Sequence, residues 1–461
     1  MKHAVPSVAE WRELWKAWDT VTLTMIPKGD LLTKPIDLRN PCIFYLGHIP
    51  TFLDIHIARA TCEPGVAPRK YPRIFGRGID PDVSDPTKCH HHSEIPDEWP
   101  ALEEILGFVA KIRQRLEGLY EEDGENLKSD ETRAINMKKL RRAIWMAFEH
   151  EAMHLETLLY MLLQAPSTRL PKGVVGPAWA VEVERLKGVP DLRRNPWVEI
   201  PKRTISIGMD DPEDRDFSDS EDAERHFGWD NEKPRESGII IPRFQAKAAP
   251  ISVGDYVDYL ASQSWAKGIP TPAQIPASWM HNDNPCPSED LSPGERILTS
   301  FSLKTFFGPL PLTNCYALAL PAVASYGELA GCAKWLGGRI PTQEEVVSIY
   351  EFRAGQSTAV EKDSRTISAV NGQMNAYGVT ETPPLDLFAQ FGENGVVGFR
   401  GWSWYEVRGG GKEMLRGRGE TGGAWEWTSS VFKRREGFKE QREYPEYSGM
   451  SLSCFFLCCG R

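Results

Sequence analysis

The sequence lacks an apolar run of membrane-spanning length, and its first residues lack the uninterrupted apolar core of a secretion signal. Neither a spanning nor an exported protein is therefore expected, and a cytoplasmic location follows. Excess positive charge is missing too: 54 Lys and Arg stand against 64 Asp and Glu, a net charge of -10. That balance excludes nucleic acid as the main partner, because a phosphate backbone needs a positive face. A disulfide framework is absent. The nine cysteines are an odd number, scattered at 42, 62, 89, 286, 315, 332, 454, 458 and 459, which suits reduced thiols. No repeat of solenoid period, no low-complexity tract and no Gly-rich strand-to-helix turn occurs.

What is present is ample apolar material for two cores, 41% hydrophobic and 10% aromatic over 461 residues. Helical periodicity dominates the first third: 8 to 19, with Ser7 as a cap and Trp11, Leu14, Trp15 and Trp18 on one face, then 43 to 60, 98 to 122 and 131 to 164. This pattern predicts a helical bundle over 1–165. A Pro/Gly-rich stretch at 63–97 interrupts it and is long enough to carry function. Pro and Gly then mark a linker over 166–195. From 196 to 461 the texture changes to short strands such as 197–200, 204–207 and 238–241, with helices at 254–263, 318–336 and 342–352. An irregular α+β domain is expected there.

The chemistry concentrates in His150-Glu151-Ala152-Met153-His154. At about 100° per residue the two imidazoles lie about 40° apart on one helical face, where both can grip one ion, whereas Glu156 lies about 200° from His154 and cannot join them. A third ligand must come from elsewhere. His48 is the best donor, because a bundle builds metal sites from inward side chains of facing helices. His56 is one alternative and the run Cys89-His90-His91-His92 another. The same five residues are the signature of zinc peptidases, with Glu151 as general base. The continuation argues against that reading, since Thr157 and Tyr160 stand where one class of these peptidases requires Gly and His. Glu182 and Glu184 are the only residues to test for another class.

Several long runs resemble one known family, the fungal type of ergothioneine-biosynthesis sulfoxide synthase. In the first domain these are Phe44 to Asp54, Arg77 to Val83, His92 to Trp99 and Phe148 to Thr157; in the second, Phe227 to Glu232, Arg339 to Thr342 and Gly423 to Thr428. The resemblance implies an α + (α+β) chain, a DinB-like helical bundle followed by an irregular formylglycine-generating-enzyme/C-type-lectin-like domain. It also implies an Fe(II) site on His48, His150 and His154, with dioxygen as co-substrate. Three neutral imidazoles would leave up to three open positions on an octahedral ferrous ion. The implied reaction joins the sulfur of cysteine, or of a related thiol, to C2 of the imidazole of hercynine, giving a sulfoxide. By the same resemblance a late tyrosine, Tyr444 or Tyr447, passes a proton or electron. Arg73 and Arg77, on the Pro/Gly-rich loop, suit a substrate carboxylate.

The chain departs from the family after Tyr447, where an apolar tail with Cys454, Cys458 and Cys459 replaces the expected Gly-Gly-Ser-Trp turn and Arg/Trp-rich close. Exposed edges in the second domain are the expectation, and an iron-binding but catalytically impaired relative is the alternative reading. No methyltransferase is recognisable before His48, so hercynine is expected from a separate methyltransferase.

Overall fold

The computed structural model describes residues 5–37, 39–66, 68–79, 89, 91–122, 131–170, 195–211, 227–232, 234–263, 274–283, 290–360, 426–431, 436–441, 444 and 458–459. Helix α1, Val8–Thr20, starts where the sequence places it: the Ser7 side chain accepts from the Glu10 amide and the Glu10 carboxylate takes the Ser7 amide. Its Trp11, Leu14, Trp15 and Trp18 are buried, as the spacing predicts. Helix α2, Cys42–Thr61, is buried on almost every side because α3 (Tyr71–Phe75), α4 (Leu102–Glu122) and α5 (Glu131–Leu162) all pack on it. An all-round apolar helix belongs in the middle of a bundle. Pro50 inside α2 has no amide to offer the Leu46 carbonyl, one turn back and two residues before His48. Among its described residues, the Pro/Gly-rich stretch at 63–97 includes the five-residue α3.

The remainder is mixed. Strands β1 (Trp197–Ile200), β2 (Arg203–Ile207), β3 (Glu236–Ile241) and β4 (Phe244–Lys247) form two antiparallel pairs, β1 with β4 and β2 with β3, the second carrying a bulge at Ile205/Ser206. Helix α6 (Val253–Ala261) leads to β5 (Trp279–His281), α7 (Pro293–Ser300), β6 (Phe301–Leu303) and β7 (Leu310–Pro311), the three strands making one sheet in that order. The single helix expected at 318–336 is two: α8 (Cys315–Ala319) and α9 (Tyr326–Trp335). The cause is Pro321, which forces the preceding Leu320 into extended backbone, and Ser325 then restarts a helix with a capping box to Glu328. Helix α10, Gln343–Val360, follows.

Strand β8 (Glu426–Trp427) pairs antiparallel with β9 (Cys458–Cys459). Two residues of the Cys-rich tail thus serve as a strand partner. Cys42, Cys62, Cys89, Cys315 and Cys332 are free, in line with reduced thiols. No described helix is long and apolar enough to cross a membrane.

The two parts share a core. Phe227 and Trp229 lie in the same apolar cluster as the bundle helices, with Phe306 and Tyr444 packed against it. A buried ion pair, Arg142 to Asp211, joins α5 to the second part, and the amide of Gly228 donates to Asp211 Oδ2 at 2.9 Å.

Candidate metal centre

His48 stands on α2, and His150 and His154 one turn apart on α5. Packing of α2 on α5 brings the three rings together, with centroids 5.0 Å apart for His48 and His150, 4.9 Å for His48 and His154, and 4.5 Å for His150 and His154. Their candidate ligand atoms all lie within 4.8 Å of one another, a spacing that one ion can span. Among the described residues this is the sole group of three such side chains that meets that spacing.

Local chemistry fixes each ring. His48 Nδ1 lies 2.7 Å from the Phe75 carbonyl oxygen, which can only accept, so Nδ1 carries the proton and Nε2 keeps its lone pair for a metal. That contact depends on Gly47. A Cβ there would stand 2.5 Å from Phe75 Cζ, so only glycine lets α3 press this closely on α2. Phe44 stacks on His48 (5.0 Å, 19°), Phe52 stacks on His150 (3.7 Å, 11°) and Tyr45 tilts against His154 (5.8 Å).

Burial lowers the pKa of His48 to about 4, against a smaller upward pull from its bond to Phe75, and is the main reason that His150 and His154 lie well below the usual range, with the neighbouring imidazoles, and Arg39 for His154, adding to it. All three are neutral at pH 7, the form that ligates. Nδ1 of His150 and of His154 is buried without a hydrogen-bond partner, the kind of orphaned group that a bound ion accounts for. The donor set fits a transition metal, and the group could hold one.

The other candidates fall elsewhere. His56 is not in the group; it is buried, its pKa pushed to about 3 by desolvation, and it packs on Phe52 at 4.3 Å. Cys89 and His91 are exposed, His92 Nδ1 is 2.7 Å from the Ser93 carbonyl, and His90 lies outside the described residues. Glu151 is buried with its pKa raised to about 8 by desolvation, and its charged neighbours are Arg113 of α4 and Asp19 of α1, which pair with each other at 2.7 and 2.8 Å. A peptidase base must face the metal-bound water, and a side chain turned to α1 and α4 does not. Glu182 and Glu184 lie outside the described residues.

Tyr444 reaches the bundle from the far end of the chain. Its ring stands edge-on to Phe52 (5.4 Å) and to His56 (6.0 Å), and is thus one ring removed from His150. Tyr447 lies outside the described residues. Arg73 is exposed and paired with Glu94 at 2.7 Å, whereas Arg77 is half-buried, its amide donating to Ser93 Oγ at 2.9 Å. The sequence reading missed Phe75 and Gly47 as parts of the site; a glycine directly before a candidate ligand was the available signal.

Gly47→Ala is expected to destabilise the bundle by about 1–3 kcal/mol, the usual cost of overpacking. It should also weaken metal binding by displacing the Phe75 carbonyl from His48. A thermal melt and a metal titration check both.

Residues 8–158 match the DinB superfamily. Ergothioneine biosynthesis protein 1 of Neurospora crassa is 39% identical over 495 residues, which cover 97% of this chain and 53% of that protein. Its counterpart in Schizosaccharomyces pombe is 28% identical over 464 residues, 96% of this chain and 50% of that protein. The chain belongs to the ergothioneine-biosynthesis family. It spans about half the length of the curated relatives it matches. The DinB match covers α1 to α5 nearly whole, so the three-histidine group of this family member lies wholly within the DinB-like bundle.

Proposed function

We propose that the chain carries the sulfoxide-synthase step of ergothioneine biosynthesis: an iron(II)- and oxygen-dependent oxidoreductase joining the sulfur of cysteine, or a related thiol, to C2 of the hercynine imidazole. The observation that carries this reading is the three-histidine group inside a bundle whose relatives are ergothioneine biosynthesis proteins. The balance is one thiol S–H and one imidazole C–H lost to one dioxygen, with one oxygen atom retained on sulfur and the other leaving as water.

His48, His150 and His154 would hold the iron, which when bound supplies open coordination positions and the electron-transfer capacity that dioxygen chemistry requires. The residues of the chain do the rest. Phe44, Phe52 and Tyr45 hold the ligand rings in plane and keep bulk water from them. Tyr444, one ring from His150, holds at its Oη the proton that the reaction requires; Tyr447 is the second candidate for that role. Arg77, with Arg73 beside it on the loop, would receive a substrate carboxylate as a bidentate partner. The reading divides the chain into a bundle at 1–165, a linker at 166–195 and a formylglycine-generating-enzyme-like domain at 196–461, acting in the cytoplasm. Hercynine is a methylated histidine, so a methyltransferase must act before this step.

Anaerobic loading with ferrous iron, then hercynine, cysteine and oxygen, should yield the sulfoxide by mass spectrometry. Absence of product with the metal fully bound would defeat the reading. Tyr444→Phe should keep its iron and lose roughly 100-fold or more in product formation, the scale of a positioned proton donor. Unchanged turnover would remove Tyr444 from the mechanism.

A further inference from the structure

We propose that Gln441 is a substrate-positioning residue, its carboxamide oxygen accepting a hydrogen bond from an N–H of a substrate held beside the three-histidine group. The inference rests on the reading of that group as a substrate-binding iron site. Gln441 is 3% exposed. Its backbone amide donates to Asp230 Oδ2 at 3.3 Å, and its side-chain Nε2 lies 3.7 Å from the sulfur of Met146. Oε1 is buried and meets no donor among the described residues.

A thioether sulfur only accepts, and weakly, so the amide is oriented the right way round. Exchanging oxygen and nitrogen would set the oxygen against sulfur and leave the NH2 group as the one without a partner. The deficit therefore belongs to the site and not to the choice of rotamer. Buried acceptors without donors are rare because they forfeit their hydration, and those that persist point to a partner bound in another state.

Position identifies that partner. Met146 is one turn before His150 on α5 and so shares its face. Three residues after Gln441, Tyr444 meets Phe52, whose ring covers His150. Gln441 and Tyr444 are thus each one side chain from the surroundings of His150, by way of Met146 and by way of Phe52. The ligand it suits is a small molecule with an N–H donor. Two substrates of the proposed reaction have one: the imidazole N–H of hercynine and the ammonium group of cysteine.

The test uses the iron-loaded full chain and its Gln441→Met and Gln441→Leu variants. Calorimetric titration with hercynine and, separately, with cysteine is run without oxygen, alongside thermal melting. Filling the position with an apolar side chain removes the orphaned oxygen, so both variants should melt at the same temperature or higher. Kd for one of the two molecules should rise roughly tenfold, the loss of one hydrogen bond, and its identity names the N–H donor. KM should follow Kd while kcat changes less. Variants that melt lower with unchanged Kd would make Gln441 a structural residue and overturn the proposal. Variants unchanged in both would assign the oxygen to an ordered water and overturn it equally. Wild type that binds neither molecule would instead sink the sulfoxide-synthase reading, and this inference with it.

Discussion

His48→Ala is expected to lose tight metal binding, by more than the 10- to 100-fold that removal of a mere outer partner of a ligand costs, and to lose turnover with it. The remaining pair, His150 and His154, would sit one turn apart on a single helix with the α2 side of the ion open. The variant has a second defect that must be separated from the first. His48 Nδ1 donates to the carbonyl of Phe75, a residue wholly buried, and alanine leaves that oxygen without its donor. The metal-free variant should therefore unfold about 1–3 kcal/mol more easily than metal-free wild type. His48→Gln separates the two, because its amide can donate to Phe75 while the imidazole is gone: stability should return and metal should not. Metal analysis after reconstitution, with denaturant titration of the metal-free forms, reads both effects. Full metal content in His48→Ala would remove His48 from the ligand set.

Two candidate ligands were legible in the sequence because an α-helix sets the geometry of positions four apart without help from the rest of the chain. The third was not. Residue chemistry alone left His48, His56 and the run from Cys89 to His92 open, and only the packing of α2 on α5 separates them, with His48 among the rings and His56 beyond Phe52. The long bundle helices were readable from their apolar periodicity. The short α3 was not, since five residues among prolines and glycines carry no period, yet α3 supplies the carbonyl that orients His48. The same limit joined α8 and α9 into one helix: the apolar spacing runs on through Pro321 where the backbone does not. Tyr444 was reachable only through family resemblance, because its place beside Phe52 depends on contacts far apart in the chain.

The tie between the bundle and the second part yields the largest expected loss of stability. Asp211→Ala should destabilise the protein by about 3–5 kcal/mol, the cost of stranding one partner of a buried ion pair. The side chains of Arg142 and Asp211 are each 3% exposed, so water cannot replace the lost carboxylate. Arg142 also lies over the Phe227 ring at 4.9 Å, and the Gly228 amide uses the same carboxylate, so one substitution loosens three contacts that hold 227–229 on the bundle. Replacing both members, Arg142→Met with Asp211→Leu, should recover most of the loss because neither charge of the pair is left buried, while the Gly228 amide stays unsatisfied, at about 1–3 kcal/mol. Double-mutant analysis by denaturant titration gives the coupling directly. The functional consequence separates the two parts. All three candidate ligands are on α2 and α5, so Asp211→Ala should still take up metal at temperatures where it is folded. Product formation should fall further than metal content, because Gln441 and Tyr444 reach the bundle from the second part and their placement beside His150 depends on that part staying seated. Equal loss of metal and product would mean that the ion pair supports the bundle alone, and full retention of stability would mean that Asp211 is not buried against Arg142 in solution.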